Sequence, residues 1–324
     1  MVGSTSALIV LPQAAHIQRE YLRRLREALP EVRFELVDHH SAAVAPVAEA
    51  DILISFGVQL TDAVFAAARK LRWVQALGSG VDGIVDQPSL APDVLVSNMH
   101  GLHGAPCAEA ALSAMFGLAR NVRRTIRSQA EARWDRFPVS LLDGKTVCAV
   151  GVGVIAEALA PRCAALGMRV TGVSGAPREV AHMERVYPRA QLAAAAAEAD
   201  FLVVLAPYTK QNHHLIGADV LRAMKPGASL VNIARGGVID EAALLEALRA
   251  GALAGAALDV FSVEPLPADH PFWSMENVLV TPHLAGYHDR YPEFAIPILI
   301  HNIRRFLAGD VAGMKNVVRL PAGA

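Results

Sequence analysis

Three side chains in the last third of the chain have types suited to one chemistry: Arg235, Glu264 and His283. Arg235 lies in Asn232-Ile233-Ala234-Arg235-Gly236-Gly237, Glu264 in Asp259-Val260-Phe261-Ser262-Val263-Glu264-Pro265, and His283 in Thr281-Pro282-His283-Leu284-Ala285-Gly286. A guanidinium offers planar, paired donors that match a carboxylate and an adjacent carbonyl oxygen. An imidazole titrates near neutrality and exchanges a proton there. A carboxylate beside an imidazole favours the protonated ring. Together the three would hold a 2-oxo acid by its carboxylate and supply a proton to its carbonyl, a step worth ~10²–10⁴-fold in rate. Each follows an apolar run that reads as a strand, so neighbouring strand ends would bring them to one crevice.

A second motif lies upstream, Gly151-Val152-Gly153-Val154-Ile155-Ala156, between a predicted strand and a predicted helix. The first glycine permits a tight turn, the second lets a pyrophosphate approach the backbone, and the third position must be small. The helix N-terminus that follows supplies N–H groups and a partial positive charge for phosphates. In NAD sites an acid about 20 residues on bonds the ribose 2′-OH. Here that place is taken by Ser174, in Val173-Ser174-Gly175-Ala176-Pro177-Arg178. No carboxylate stands there to repel a 2′-phosphate, and Ser174 and Arg178 would bind one. NADP is therefore favoured and NAD stays open. A third motif, Leu77-Gly78-Ser79-Gly80-Val81-Asp82-Gly83, lacks the Lys-Ser/Thr ending of an ATP loop. Consecutive N–H groups of Gly78, Ser79 and Gly80 would form an anion nest for a substrate carboxylate.

The elements that position these residues alternate from end to end. Strands are predicted over residues 7–11, 33–37, 52–55, 73–77 and 94–97, with helices over 17–29 and 62–71. A second series follows over 146–150, 169–173, 201–205, 229–233, 256–259 and 278–281, with 241–250 the clearest helix among them. This alternation predicts parallel sheets covered on both faces. One long helix over 104–132 and another over 292–308 flank the second series and read as crossovers.

These motifs resemble the D-isomer-specific 2-hydroxyacid dehydrogenases, and the resemblance covers nearly the whole chain. It implies an α/β protein of two doubly wound parallel-sheet domains. A Rossmann dinucleotide-binding domain (100–286) is inserted into a flavodoxin-like substrate domain made of 1–99 and 287–324. It implies an oxidoreductase that moves a hydride between NAD(P)H and a small 2-oxo or D-2-hydroxy acid, glyoxylate or hydroxypyruvate being favoured. Arg235, Glu264 and His283 would be catalytic, with His283 the proton donor and acceptor. Gly78, Ser79, Gly80 and Arg235 would bind substrate. Gly151, Gly153, Val154, Ile155, Ser174, Arg178, Ala206, Pro207, Ala234, Arg235, Asp259 and His283 would line the cofactor, with Asp259 facing the nicotinamide amide. Asn98 and Glu109 match hinge positions with a structural rather than catalytic part, His100 and His103 lie near the crossover, and Trp134 is expected to pack in the ordinary way, reach into a partner subunit's cleft being the alternative. The helix over 104–132 exposes too many apolar side chains for one domain face, which predicts a homodimer through it.

Composition excludes other classes. Hydrophobic residues make up 53% of the 324 and charged residues 19%, enough apolar material for two cores. A net charge of −1 gives no field for nucleic acid. No apolar stretch is long enough for a spanning helix, and the first residues lack a signal pattern. Cys107, Cys148 and Cys163 are dispersed and suit reduced thiols in a cytoplasmic protein, with no metal spacing. Within the family, Glu264 disfavours formate dehydrogenase, and the short tail after His283 disfavours a regulatory domain. Phosphoglycerate- and phosphite-type dehydrogenases stay open, as does a non-catalytic dinucleotide-sensing binding protein of the same fold.

Overall fold

The structure, a computed structural model, describes residues 5–57 and 60–321. They fall into two compact units, one drawn from Met1–Leu102 and Asp289–Ala324, the other from His103–His288. The first unit opens with β1 (Ser6–Val10), α1 (Ala15–Ala28), β2 (Arg33–Val37), α2 (His40–Ala43), β3 (Ile52–Ser55), α3 (Asp62–Ala67), β4 (Trp73–Ala76) and β5 (Leu95–Ser97). Residues of β1, β3, β4 and β5 are buried throughout, as strands covered on both faces must be. β2 alternates instead, with Phe34 buried between exposed Arg33 and Glu35, and it takes the sheet edge.

The second unit begins with α4 (Gly104–Ala119) and α5 (Val122–Ala130). The single helix expected over 104–132 is thus two. Asn121 sits between them with φ 49°, in the left-handed region that asparagine tolerates and a continuing helix does not. Then follow β6 (Thr146–Val150), α6 (Val154–Ala165), β7 (Arg169–Ser174), β8 (Arg185–Pro188), α7 (Leu192–Glu198), β9 (Phe201–Val204), α8 (Ala218–Ala223), β10 (Ser229–Asn232), α9 (Glu241–Arg249), β11 (Gly255–Leu258) and β12 (Val278–Val280). The sheet has seven strands where six were expected, in the order β12-β11-β10-β9-β6-β7-β8, and every pairing is parallel. The added strand, β8, is a four-residue edge strand ending in Pro188, too short and polar to read as apolar alternation. The order reverses at β6, the switch point at which doubly wound sheets open a crevice beyond their strand ends.

The chain then returns to the first unit as α10 (Tyr291–Leu307) and β13 (Val317–Arg319). α10 buries Tyr291, Ala295, Leu299, Ile303 and Phe306, an apolar stripe at helical spacing. β13 pairs antiparallel with β5, giving the order β13-β5-β4-β3-β1-β2. The core order is flavodoxin-like and parallel, as expected, and β13 adds one antiparallel edge strand. A buried network fixes the return. Trp73 Nε1 donates to Ser97 Oγ (2.9 Å), Ser97 Oγ to Gln75 Oε1 (2.8 Å), and Asn302 Nδ2 to the same oxygen (2.9 Å). Among the described residues no helix is long and apolar enough to cross a membrane.

Candidate functional site

Three adjacent parallel strands end at the same edge of the second unit. Asn232 of β10 pairs with Leu258 of β11, and Leu258 with Val280 of β12, so Arg235, Glu264 and His283 all emerge from loops at that edge. The Asn232 side chain, buried, shapes the first loop by accepting the Ala234 N–H (3.1 Å) and donating to the Arg235 carbonyl (3.1 Å). Gly236 must be glycine, because a Cβ would overlap the Phe261 carbonyl. The loop of Arg235 is thereby pressed against the loop that carries Glu264.

Glu264 meets His283 directly, with Oε2 2.7 Å from Nδ1. Its other oxygen accepts the Phe261 N–H at 3.0 Å. Burial pushes this carboxyl up, but the His283 bond, the Phe261 N–H and the Arg235 charge outweigh it and hold the group below the ordinary glutamate value. An ionised carboxylate only accepts, so Nδ1 carries the proton of that bond and Nε2 is left for chemistry. His283 itself has φ 55°, a strained conformation for a residue with a Cβ.

Asp259 holds that strained turn. It is buried; Oδ1 accepts Thr281 Oγ1 (2.5 Å) and the Leu284 N–H (2.8 Å), and Oδ2 accepts the Ala285 N–H (2.8 Å). Its carbonyl takes the His283 N–H at 2.8 Å. The expected partner of a nicotinamide amide therefore has both oxygens engaged in shaping the loop after β12. Reading the sequence alone misses this work, and that of Asn232, Thr281 and Glu241, whose Oε1 accepts the Ser262 N–H at 2.7 Å. The one signal available was a polar residue closing an apolar run.

The dinucleotide motif forms the turn between β6 and α6. Gly151 has φ 104° and donates to the Val173 carbonyl, and a Cβ there would stand 2.6 Å from the Ala206 nitrogen. Gly153 is the N-cap of α6, and a Cβ on it would meet nothing within 4 Å. The space beside Gly153 is thus open, and the first N–H groups of α6, those of Val154, Ile155 and Ala156, have no partner within the helix. Ala156 is buried against the sheet. Ala206 and Pro207 follow β9, and Asn212 Nδ2 holds the Pro207 carbonyl at 2.7 Å. This cradle fits a pyrophosphate. Ser174 closes β7, and its hydroxyl bonds the N–H and the carbonyl of Ala176 (both 3.2 Å). Arg178 lies on the exposed loop beyond and is ion-paired with Glu157 of α6.

In the first unit, Met99 N–H donates to the Gly78 carbonyl (3.0 Å) and Asn98 Nδ2 to the Ser79 carbonyl (2.7 Å). Across a trans peptide the N–H points opposite its carbonyl, so those of Ser79 and Gly80 turn away from β5, as an anion nest requires. His100 donates its N–H to Asn98 Oδ1 (3.0 Å), and His103, in the second unit, lies against Gly286. Burial pushes the Cys107 thiol up to about 12, with the Asp259 charge adding and that of Arg235 opposing; burial alone does the same to Cys163. Among the described residues no group of three or more His, Cys, Asp or Glu is placed to hold a metal ion.

Comparison with known proteins adds to this geometry. The family model for D-isomer specific 2-hydroxyacid dehydrogenase, NAD binding domain, matches residues 112–285. The chain is 34% identical to the glyoxylate reductase of Korarchaeum cryptofilum over 272 residues, 82% of either protein. It is 34% identical to the D-3-phosphoglycerate dehydrogenase of Methanocaldococcus jannaschii over 279 residues, 85% of this chain but 53% of that one, so it spans about half the length of that relative. The crystal structure of a D-isomer specific 2-hydroxyacid dehydrogenase from Xanthobacter autotrophicus Py2, in complex with NADPH and MES, matches with a TM-score of 0.80 at 31% identity, over 98% of both chains.

Proposed function

From the membership of this chain in the D-isomer specific 2-hydroxyacid dehydrogenase family, we propose that it is an NAD(P)H-linked reductase of a small 2-oxo acid, glyoxylate or hydroxypyruvate. The observation that carries this reading is the 2.7 Å bond between Glu264 and His283 at the strand edge that also presents Arg235. A nicotinamide cofactor held at the Gly151–Ala156 turn would supply the hydride for the carbonyl carbon. Arg235 holds the substrate carboxylate, and His283 Nε2 gives a proton to the carbonyl oxygen. In the oxidative direction Nε2 takes the hydroxyl proton. Glu264 orients the ring and balances its charge. Gly78, Ser79 and Gly80 are assigned to the substrate's anionic end. Residues 100–286 are assigned to cofactor binding, and 1–99 with 287–324 to substrate recognition.

NADPH is the favoured cofactor. Ser174 stands where an acid would repel the 2′-phosphate, and the Xanthobacter relative is seen with NADPH. The test is a panel of glyoxylate, hydroxypyruvate, pyruvate and 3-phosphohydroxypyruvate with either reduced cofactor. Turnover of glyoxylate or hydroxypyruvate with NADPH is expected, and Ser174→Asp should move the preference toward NADH. Tight cofactor binding with no turnover on any 2-oxo acid would instead favour a dinucleotide-sensing protein. We also infer a homodimer formed through residues 104–132.

A further inference from the structure

We propose that Glu157 limits the NADPH preference by competing with the 2′-phosphate for Arg178. This rests on the NADPH reading above and adds to it a residue that the dinucleotide motif does not include. Glu157 follows Ala156 in the opening turns of α6, and its own N–H bonds the Gly153 carbonyl at 2.9 Å. The acid thus stands on the helix whose N-terminus faces the pyrophosphate cradle. Its carboxylate reaches the loop after β7 and pairs with the Arg178 guanidinium. Arg162, one turn further along α6, is directed instead to the Ala158 carbonyl at 2.5 Å. Arg162 therefore leaves the Glu157 carboxylate to Arg178.

The consequence follows from the relative strength of two contacts. The side chains of Arg178 and Glu157 are 51% and 43% exposed. An ion pair so open to water is among the weakest contacts in a protein, while a charge-assisted bond to a phosphate is stronger. The phosphate therefore displaces the carboxylate, but only molecules with Arg178 released bind it fully. Apparent affinity falls by that released fraction. NADH has no 2′-phosphate and does not draw on Arg178. In a common NAD site the acid sits at the strand end and acts on the ribose; here the acid comes from the helix and acts on the arginine.

The test is the dissociation constants of NADPH and NADH, from fluorescence titration, for the parent protein, Glu157→Gln, Arg178→Ala and the double variant. Glu157→Gln should raise the NADPH:NADH affinity ratio about two- to five-fold, the scale of an exposed ion pair. Arg178→Ala should lower the ratio about ten-fold or more. With Arg178 gone, Glu157→Gln should have no further effect. If Arg178→Ala lowers the ratio but Glu157→Gln leaves it as it was, the competition is overturned while the NADPH reading stands. If Glu157→Gln tightens NADPH equally with and without Arg178, Glu157 acts through its own charge and the competition is overturned. If Arg178→Ala leaves the ratio unaltered, both the competition and the role of Arg178 in the NADPH reading fall.

Discussion

His283 works from a backbone conformation that side-chain-bearing residues avoid, and its neighbours keep it there. The carbonyl of Asp259 takes its N–H, the Asp259 carboxylate takes the next two, and Glu264 fixes the ring through Nδ1. Nε2 is then the ring position left for the proposed proton exchange with substrate. His283→Ala should lower kcat at least ~10²-fold while the NADPH dissociation constant moves only a few-fold, because the proton donor is lost and the cradle is not. Stopped-flow turnover and a binding titration read the two effects separately; near-parent turnover would remove His283 from the chemistry. Glu264 makes a second prediction. Its carboxyl is held below the ordinary value, so it is ionised throughout the neutral range. Glu264→Gln removes that charge, and the limb of the reductive pH–rate profile that needs a protonated donor should move to lower pH. A profile that stays in place would mean that the charge does not act on the proton transfer.

The strands and helices are held in register by groups remote from this edge. Asp200, just ahead of β9, accepts the Thr146 N–H at 2.8 Å and the Lys225 ammonium at 3.2 Å, tying β9 to the start of β6 and to the segment after α8. Burial pushes its carboxyl up, but the Thr146 N–H, Lys225 and Lys145 outweigh burial and hold it below the ordinary 3.8. A carboxyl with a depressed folded pKa adds stability that is complete above its unfolded value and is lost as pH falls through the folded one. Asp200→Asn should therefore cost about 1–2 kcal/mol at neutral pH, because the amide oxygen still accepts the Thr146 N–H but the charge facing Lys225 and Lys145 is lost. The difference from the parent should shrink below pH 3.8. Denaturant midpoints at several pH values would show this, and a difference independent of pH would place the effect elsewhere than in the charge.

At the scale of the whole molecule, the surface around α5 calls for an explanation. Trp134 is 92% exposed, Leu141 64% and Ile126 60%, with Phe116 and Val139 also open. Single exposed apolar residues are ordinary, but several along this one stretch of chain are what the inferred dimer would cover. The break at Asn121 leaves α4 in the core and gives α5 and the segment after it to the surface; α5 buries only Ser128. Light scattering at micromolar concentration should give twice the chain mass, and Ile126→Asp combined with Leu141→Asp should reduce it to one. A parent protein of single-chain mass would overturn the dimer.

Read by itself, the sequence determined what depends on local pattern. Fully apolar runs marked buried parallel strands, and the glycine spacing after β6 marked a dinucleotide turn, because period and backbone freedom are properties of neighbouring residues. The places of Arg235, Glu264 and His283 after strand ends were legible for the same reason, while their proposed chemistry came from residue type and family resemblance. Whatever joins residues distant in the chain was decided by tertiary structure. Glu264 and His283 touch because β11 and β12 are neighbours, and Arg178 meets Glu157 because α6 and β7 pack side by side. Asp259 turned inward to hold the His283 loop, a use that no spacing announces. β8 and β13 became strands by pairing at sheet edges despite weak local signals, and Asn121 split a continuous apolar pattern into two helices. Contacts of this kind depend on which surfaces meet, and that choice is made by the packing of the whole chain.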